Sequence, residues 1–461
     1  MANSDAGATT PSPSTVRKVA LAACTATSIE WYDFFIYLTA AALVFPTLFF
    51  PSDISPTAGV LASFATAAGG FVARPIGGAL FGHFGDRLGR KPTLVFALVL
   101  MGVASTLIGL LPTFATIGIW AAILLAVLRV CQGLAIGGQW GGAALLATEY
   151  APEDKRGFYG SFAQIGVPVG LILGNTIFLV LTATMSTDAF NAWGWRVPFL
   201  LSVVLIGLAM YIQLRIEDTP AYRQLQERAE QHQQEEQDGS ESGQEGEGSP
   251  LIAVFRDHPK QVLLAAAAYI VINGTFYILV TGMLDYGTRD LGLSRTTMLT
   301  AVLISSVFQI FALPAFAAVS DRVSRRRVYL AGAVLVALWA FPMFWLIDTR
   351  SFVLITVALV VGNALLSIMY GPQAALFAEM FSARVRYSGA SMGYQLGSVV
   401  AGGLSPFIMT SLLAATGTSM SVAVYIVVMA VISFGAVYLI TETYEDEMSE
   451  EIGGEEGVAA G

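Results

Sequence analysis

Long apolar stretches alternate with short polar connections along most of this chain of 461 residues. A helix of about 20 apolar residues is long enough to cross the hydrocarbon core of a bilayer, which is about 30 Å thick. Twelve stretches meet this requirement, at roughly 20–46, 58–81, 93–111, 117–147, 159–183, 195–215, 260–284, 297–319, 328–347, 352–379, 389–413 and 420–441. The pattern predicts an all-α membrane protein with twelve transmembrane helices.

The composition supports this prediction, since 55% of the residues are hydrophobic and only 12% are charged, which is unlike an ordinary soluble domain. The first apolar stretch is too long and too interrupted by acidic residues for a cleaved signal peptide, so it indicates a retained helix. Cys24 and Cys131 both fall in apolar stretches. That position favours packing as small apolar side chains, with no disulfide or metal framework.

The distribution of Lys and Arg predicts the orientation in the membrane. With the N-terminus in the cytoplasm, 18 of the 24 basic residues lie on the cytoplasmic side and four lie opposite, at Arg196, Arg289, Arg295 and Arg350. Such a bias satisfies the positive-inside rule and places both termini in the cytoplasm, in a multi-pass protein of the plasma membrane. The net charge of -9 comes mainly from the tails and a linker, so it says little about a substrate.

The same pattern predicts five regions. These are a polar cytoplasmic tail (1–18), a six-helix half (19–216), a cytoplasmic linker (217–258), a second six-helix half (259–441) and an acidic cytoplasmic tail (442–461). The linker contains the sequence EEQDGSESGQEGEG at 235–248, which cannot bury enough apolar surface to fold, so we expect it to be largely disordered. A passive tether is favoured over a regulatory role.

Three features recur in both halves. The decapeptide GHFGDRLGRK at 82–91 returns as AAVSDRVSRR at 317–326. A Glu and an Arg are seven residues apart at 149–156 and again at 379–386, and glycines recur at every fourth position at 166–174 and at 389–397. Such glycine stripes let helix backbones approach closely. Repetition of this kind predicts two pseudo-symmetric halves related by an axis along the membrane normal.

The repeated charged residues lie at the predicted cytoplasmic rim, where they form a candidate latch that holds one conformation closed. The alternative is simple anchoring of positive charge on the cytoplasmic side. The candidate gate residues are Gly82, Asp86, Arg87, Gly89, Arg90, Lys91, Glu149, Arg156, Asp321, Arg322, Glu379 and Arg386.

Charged residues inside transmembrane helices are costly and therefore candidates for function. At about 1.5 Å per residue, Glu30 and Asp33 lie about 15 to 20 Å deep, and Arg129 lies at a similar depth, about 18 Å from the opposite side. A carboxylate that alternates between an Arg partner and a proton would couple transport to protons, with Asp33 preferred over Glu30. A permanent structural ion pair is the alternative.

Arg74 lies about 12 Å inside the cytoplasmic end of the second helix, where it either faces a central cavity or snorkels to the interface. Further substrate-binding candidates are polar or aromatic residues in apolar helices, and each is alternatively an interhelical hydrogen-bonding group. They are Tyr32, Tyr37, Gln132, Gln164, Asn273, Tyr277, Gln309, Asn363, Tyr370 and Gln395.

Several stretches resemble the metabolite:proton symporter branch of the major facilitator superfamily. They are IEWYDF at 29–34, RPIGGALFGHFGDRLGRK at 74–91, WGGA at 140–143, WGWRVPF at 193–199 and RYSGASMGYQ at 386–395. The resemblance implies the major facilitator fold and proton-driven import, as in transporters of shikimate, alpha-ketoglutarate, citrate and proline/betaine. The sequences of the fourth and eleventh helices are most similar to those of shikimate-type members.

Two departures from that pattern matter. Members of the branch commonly carry Glu before the Trp-Gly-Gly of the fourth helix, where this chain has Gln139. Because Gln cannot bind and release a proton as Glu does, proton coupling is expected at Glu30 and Asp33 instead. The acidic tail is short and lacks heptads, which argues against the osmotic control of proline/betaine members that carry a coiled coil.

We therefore expect a secondary active transporter, acting as a monomer in the bilayer, that imports a small carboxylate-bearing or zwitterionic metabolite with protons by alternating access. An uncoupled facilitator and a proton antiporter or exporter are alternatives within that class, and a membrane enzyme or transporter-like receptor is a more remote one. The histidines, His83, His232 and His258, lie in loops or the linker. HExxH and phosphate-loop motifs are missing, so no cofactor, metal, nucleic acid or enzymatic activity is expected.

Overall fold

The computed structural model describes residues 13–88, 90–137, 151–216, 256, 258–381 and 386–440. Within these ranges the regular structure is helical, and a helix lies at each of the twelve predicted positions. Eight of the stretches so described are long and apolar enough to cross a membrane. The prediction of an all-α membrane protein is confirmed. Most of the predicted linker and of both tails lies outside the described residues, as does Gln139, so the five regions stay a prediction.

The first six predicted segments correspond to helices that differ from the predictions mainly at their ends. They are α1 (Pro13–Leu43), α2 (Pro56–Leu88), α3 (Arg90–Leu110), α4 (Trp120–Ile136), α5 (Arg156–Thr184) and α6 (Val197–Ile216). The first helix begins earlier than the predicted residue 20, so part of the expected polar tail is helical. Short helices at Phe45–Leu48, Phe114–Ile117 and Thr187–Ala192 lie in the connections.

The last six segments include two helices with π-helical turns. α7 runs from Pro259 to Asp290 and contains π-helical turns at Ile278–Gly282 and Tyr286–Asp290. α8 (Arg295–Ser320), α9 (Arg325–Asp348) and α10 (Phe352–Glu379) follow. α11 comprises Arg386–Gly397, a π-helical turn at Ser398–Gly403 and Ser405–Thr416, and α12 is Met420–Leu439. Such turns are frequent at functional sites because they redirect side chains.

The glycine stripes lie at equivalent helix contacts in the two halves. A Cβ atom on Gly170 of α5 would lie 2.6 Å from the backbone of Ser28 and of Tyr32, so α5 packs directly on α1. A Cβ atom on Gly397 of α11 would lie 2.7 Å from the Ala266 carbonyl of α7. The pairs α1 with α5 and α7 with α11 therefore repeat one packing arrangement, as expected of pseudo-symmetric halves.

Glycines also bring α2 and α4 into backbone contact. A Cβ atom on Gly133 would overlap the Gly70 carbonyl, and one on Gly137 would overlap the Arg74 carbonyl. A Cβ atom on Gly70 would lie 2.6 Å from the Arg129 Nε atom, so this glycine leaves room for the arginine side chain. This close packing positions Arg74 and Arg129, which lie on the two helices concerned.

Candidate functional site

The two carboxylates of α1 are buried in the first half. Asp33 is 1% exposed and Glu30, one turn earlier, is 8% exposed. The Asp33 Oδ2 atom accepts hydrogen bonds from the Ser105 hydroxyl and, at 3.4 Å, from the Gln132 amide. Its Oδ1 atom is buried and has no hydrogen-bond partner among the described residues. Half of this carboxyl group is therefore available to a proton or to a cation.

Arg129 is joined to Asp33 through Gln132. The Arg129 Nη1 atom donates to the Gln132 Oε1 atom at 3.1 Å, while the Gln132 Nε2 atom donates to Asp33 and, at 2.6 Å, to Ser105. The expected direct pairing of carboxylate and guanidinium is not present in this conformation. The Arg129 Nε and Nη2 atoms are buried without a hydrogen-bond partner in the described part of the chain.

Arg74 lies in the interior, and its side chain does not snorkel. It is 1% exposed, and its guanidinium carbon lies 4.3 Å from the centre of the Phe34 ring, 4.5 Å from that of Phe71 and 5.5 Å from that of Trp31. Cations are attracted to the faces of aromatic rings, so these contacts offset part of the cost of burial. Its Nε and Nη2 atoms are also buried without a hydrogen-bond partner among the residues described.

Both arginines contact one aromatic ring. The Arg129 guanidinium carbon lies 4.4 Å from the centre of Phe34 and 4.2 Å from that of Tyr37. Each arginine thus leaves the same two nitrogens, Nε and Nη2, without a hydrogen bond. These nitrogens form one edge of the planar guanidinium, the edge that binds a carboxylate with two parallel hydrogen bonds. Each arginine therefore keeps one carboxylate-binding edge without a partner among the described residues.

A small cavity of about 10 Å³, room for about one water molecule, lies between the halves, next to this cluster. Trp31 of α1 and Val167 of α5 form one wall, and residues of α7, α8 and α10 form the other. The lining residues are Trp31, Val167, Tyr269, Ile272, Asn273, Phe276, Tyr277, Gln309, Leu366 and Tyr370. Arg74 is not one of them, but it stacks on Trp31, which is.

The structure divides the predicted binding candidates into two groups. Asn273, Tyr277, Gln309 and Tyr370 line the cavity. The other candidates are buried away from the cavity. Gln132 forms the bridge to Asp33, and Gln164 lies on α5. The remaining four form hydrogen bonds between helices. Those bonds run from Tyr32 to the Pro198 carbonyl, between Tyr37 and Thr66, from Asn363 to Ser305 and from Gln395 to the Gly137 carbonyl.

Sequence reasoning missed the aromatic residues of the site. Trp31, Phe34, Phe71, Tyr269 and Phe276 either stack on the arginines or line the cavity. The one available signal was the position of Trp31 and Phe34 beside the two acidic residues of α1. For aromatic residues elsewhere in apolar helices, the sequence does not indicate whether the side chain faces a cavity, the protein core or lipid.

Contacts between the halves close one end of the bundle, where α8 ends. The Asp321 carboxylate accepts hydrogen bonds from the backbone N–H groups of Gly157 and Phe158, at 2.8 and 2.9 Å, in the first turn of α5. A carboxylate at a helix N-terminus is favourable because the N–H groups there have no partner within the helix. Arg325 forms ion pairs with Asp321 at 3.6 Å and with Glu379 at 3.0 Å.

The structure therefore brings Asp321 and Glu379 together through Arg325, which was not among the predicted gate residues. Arg322 is exposed next to them, and Arg156 begins α5. The remaining predicted gate groups, or their side chains, lie outside the described residues. They are Gly82, Asp86, Arg87, Gly89, Arg90, Lys91, Glu149 and Arg386.

The opposite end, where α8 begins, is also closed. Arg289 of α7 pairs with Asp285 and Asp290 and reaches the Thr57 hydroxyl of α2 at 3.3 Å. Arg295 donates to the Asn191 side chain of the first half at 3.2 Å. The cavity thus lies between two sets of contacts that join the halves.

Comparison with known proteins agrees with this architecture. Residues 19–451 match the family described as sugar (and other) transporter. The shikimate transporter of Escherichia coli strain K12 is 40% identical, over 92% of this chain and 94% of that protein. An inner membrane metabolite transport protein of the same strain is 38% identical, over 92% and 94%. A proline/betaine transporter of that strain is 32% identical, over 90% and 82%.

The fold is shared with a solved transporter of much lower sequence similarity. The crystal structure of a D-xylose-proton symporter superposes with a TM-score of 0.71 and 18% sequence identity, over 93% of this chain and 99% of that one. At this identity the likeness concerns the fold alone.

Proposed function

Since the chain belongs to the sugar (and other) transporter family of the major facilitator superfamily, we propose that this membrane transporter imports a small carboxylate-bearing metabolite together with protons. The observation that carries the proposal is the pair of buried arginines with free Nε and Nη2 atoms. Buried polar groups are otherwise almost always hydrogen-bonded, so two free guanidinium edges point to a carboxylate ligand.

The two arginines have different tasks in this proposal. Arg74 stacks on Trp31 of the cavity wall and receives the carboxylate of the substrate. Arg129 is linked through Gln132 to Asp33, whose Oδ1 atom is free, and it belongs to the proton pathway. When Asp33 loses its proton, its carboxylate takes the free edge of Arg129. When it is protonated, the bridge through Gln132 remains.

The charges of the buried cluster support coupling to protons. Glu30, Asp33, Arg74 and Arg129 are all buried, and together they carry no net charge when all four are ionised. A substrate carboxylate adds one negative charge, and an uncompensated buried charge costs several kcal/mol. Uptake of one proton for each carboxylate restores neutrality. We therefore propose an electroneutral symport of one proton with a monocarboxylate.

The two closed ends support alternating access, in which opening of one end accompanies closure of the other. The cluster of Asp321, Arg325 and Glu379 is the cytoplasmic latch of this proposal, and Asp86 has the equivalent role in the first copy of the repeat. The cluster of Asp285 and Arg289 with Thr57 closes the outer end. In this orientation both termini lie in the cytoplasm, and the transporter acts as a monomer in the cytoplasmic membrane.

Uptake by purified protein in proteoliposomes tests the proposal. With a more acidic exterior, we expect labelled shikimate, the cargo named for a 40% identical relative, to accumulate above its external concentration. A potassium diffusion potential set with valinomycin should leave the rate unchanged, because the transported sum is neutral. Equilibration without accumulation would indicate an uncoupled facilitator. Accumulation driven by the opposite pH gradient, with a more acidic interior, would indicate an antiporter. Binding without flux would indicate a receptor.

A further inference from the structure

The segment WGWRVPF at 193–199 leads into α6 and takes no part in the proposed transport steps. Arg196 lies in this segment, directly before α6 begins at Val197. The Arg196 Nη1 atom donates to the carbonyls of Gly109 and Leu111, at 2.9 and 2.7 Å. These carbonyls lie at the C-terminus of α3, where backbone oxygens have no partner within the helix and a positive charge is favourable. Arg196 therefore fixes the end of α3 to the start of α6.

Close packing reinforces this connection between α3 and α6. A Cβ atom on Gly109 would lie 2.9 Å from the Phe199 Cβ atom and 3.3 Å from the Arg196 carbonyl. Trp195 is fully buried, and its ring centre lies 5.6 Å from that of Phe49 and 6.1 Å from that of Phe199. The start of α6 is thus fixed in the core on one side and against α3 on the other.

The carboxyl group of Asp33 is held by a residue one turn away from this connection. Ser105 lies four residues before Gly109 on α3, is fully buried, and donates its hydroxyl hydrogen to the Asp33 Oδ2 atom. The same hydroxyl accepts a hydrogen bond from the Gln132 Nε2 atom at 2.6 Å. Because α3 is one continuous helix, a displacement of its end displaces Ser105 as well. The position of this hydroxyl therefore depends on Arg196.

α6 also contacts α1 next to Asp33. The Tyr32 hydroxyl donates to the Pro198 carbonyl, in the first turn of α6, at 2.7 Å. Ser202, one turn further along α6, faces the Asp33 carboxyl. The first turns of α6 thus fix α1 and α3 at the same point of the bundle.

A hydrogen bond donated to a carboxylate favours its ionised form. In α3, α5 and α6 the charged residues lie near the helix ends, so these helices present uncharged groups to Asp33. The Ser105 hydroxyl consequently influences the pH at which Asp33 gains a proton. The ionisable groups of the buried cluster around Asp33 are Glu30, Tyr32 and Tyr37 of α1, Arg74 of α2, Arg129 of α4 and Tyr277 of α7.

Resting on the proposed proton coupling at Asp33, we infer that Arg196 is a positioning residue for that coupling. Through the end of α3 it holds the Ser105 hydroxyl on the Asp33 carboxyl, and it thereby sets the pH at which Asp33 gains and releases its proton. Arg196 acts on the proton site from the connection before α6, outside the buried cluster.

Infrared titration of the purified full-length protein measures that pH directly. A protonated aspartic acid has its own carbonyl stretching band, and the band of Asp33 is the one missing in Asp33→Asn. Ser105→Ala removes a hydrogen bond to the ionised form, so Asp33 stays protonated up to a higher pH. We expect the midpoint of the titration to rise by about one pH unit.

Variants of Arg196 test whether it acts through Ser105. Arg196→Met has a side chain of similar length without the donors, and we expect it to raise the midpoint by about half a unit to one unit. Arg196→Lys retains a donor and should restore the native midpoint. Combining Ser105→Ala with Arg196→Met should give no further rise over Ser105→Ala alone, because the hydroxyl that Arg196 positions is then missing.

Gly109→Ala disturbs the same connection in a second way, because its added Cβ atom would lie 2.9 Å from that of Phe199. It should also raise the midpoint, in a protein that retains Arg196. Thermal unfolding shows which variants are folded. Where Arg196→Met is not, Gly109→Ala provides the test, and a native midpoint in this variant would then contradict the inference.

Two variants serve as matched controls. Thr106→Val removes a hydroxyl next to Ser105, but one that donates to the Gly102 carbonyl of its own helix at 2.7 Å. Arg350→Met is the control for Arg196→Met and lies at an exposed position after α9. Both should titrate at the native midpoint.

Three outcomes would overturn the inference. These are an unchanged midpoint in Ser105→Ala, a further rise in the double variant, and a lower unfolding temperature with a native midpoint in Arg196→Met, the result of a purely structural role. Native midpoints in all variants of a protein that accumulates shikimate with protons would leave the proposed function intact. Raised midpoints without proton-driven accumulation would support the positioning by Arg196 and contradict the proposed function.

Discussion

In the proposed mechanism, the carboxyl group of Asp33 exchanges a proton for an arginine partner. One oxygen is held by Ser105 and Gln132, and the other is free and buried. Asn at this position would keep the shape and most hydrogen bonds but could not release a proton. We expect Asp33→Asn to abolish accumulation driven by a pH gradient and to spare exchange of substrate between the two sides.

Uptake and counterflow in proteoliposomes measure these two activities separately. Asp188→Asn, in the short helix Thr187–Ala192 of a connection, is a control in which we expect both to be retained. Normal accumulation by Asp33→Asn would show that Asp33 is not the coupling site. Glu30 would then be the remaining candidate.

In the proposed function, substrate binding depends on the guanidinium edge of Arg74, as distinct from its charge. Arg74→Lys keeps the positive charge and loses the two parallel donors. Since hydrogen bonds to charged groups contribute about 1.5 to 3 kcal/mol, we expect the KM for shikimate uptake to rise about 10- to 100-fold. Arg129→Lys should chiefly impair accumulation, with a smaller change in KM.

Arg350→Lys, at an exposed position after α9, is the control for this substitution and should transport normally. An unchanged KM in Arg74→Lys would show that the guanidinium edge is not used. A KM change in Arg129→Lys as large as that in Arg74→Lys would contradict the assignment of different tasks.

The contact between α1 and α5 holds the acidic residues at their depth in the bundle. Gly170 is the closest point, since an added Cβ atom would lie 2.6 Å from the backbone of α1. Gly170→Ala should push the helices apart, lower the free energy of unfolding by about 1 to 3 kcal/mol and reduce proton-driven uptake. Thermal unfolding in detergent and uptake assays measure the two effects.

Gly435→Ala in α12 is the matched control, because nothing lies within 4 Å of its added Cβ atom. There the substitution should be neutral or slightly stabilising, since alanine has the higher helix propensity. Equal behaviour of the two variants would mean that close packing of α1 on α5 does not limit stability.

The helices were predictable because a bilayer of fixed thickness requires about 20 apolar residues in each. The depths of Asp33, Arg74 and Arg129 in the membrane were estimated from the same helical rise and stay predictions. The π-helical turns of α7 and α11 were not predictable, because a single extra residue per turn leaves no periodic signal in a helix that is apolar on every face. For the same reason Phe34 and Phe71 could not be distinguished from core residues, although they contact the buried arginines.

The proposed latch, the cluster of Asp321, Arg325 and Glu379 at the end of α8, contacts the first half through Asp321. Asp321 bonds to the N-terminus of α5 and to Arg325, so Asp321→Asn removes a charge from both contacts. We expect this variant to spend more time open at that end. Reactivity of Ser161→Cys, one turn inside the latch on α5 and fully buried, measures the opening in a background without Cys24 and Cys131.

Maleimide labelling should be several times faster in the Asp321→Asn background than in the native one. Asp154→Asn is the control at the same end, because the Asp154 side chain is 72% exposed and pairs only weakly with its neighbour Lys155. Unaltered labelling and transport in Asp321→Asn would reject the latch and favour simple anchoring of charge.

The unequal walls of the cavity bear on how such a transporter acquires a new cargo. The proposed coupling residues and both buried arginines belong to the first half, whereas the amides of Asn273 and Gln309 line the cavity from the second. In the proposed mechanism, substitutions at Asn273 or Gln309 change the cavity wall and leave the residues proposed to couple transport to protons unaltered. Relatives named for cargoes as different as shikimate and proline/betaine are compatible with diversification of one half around a retained first half.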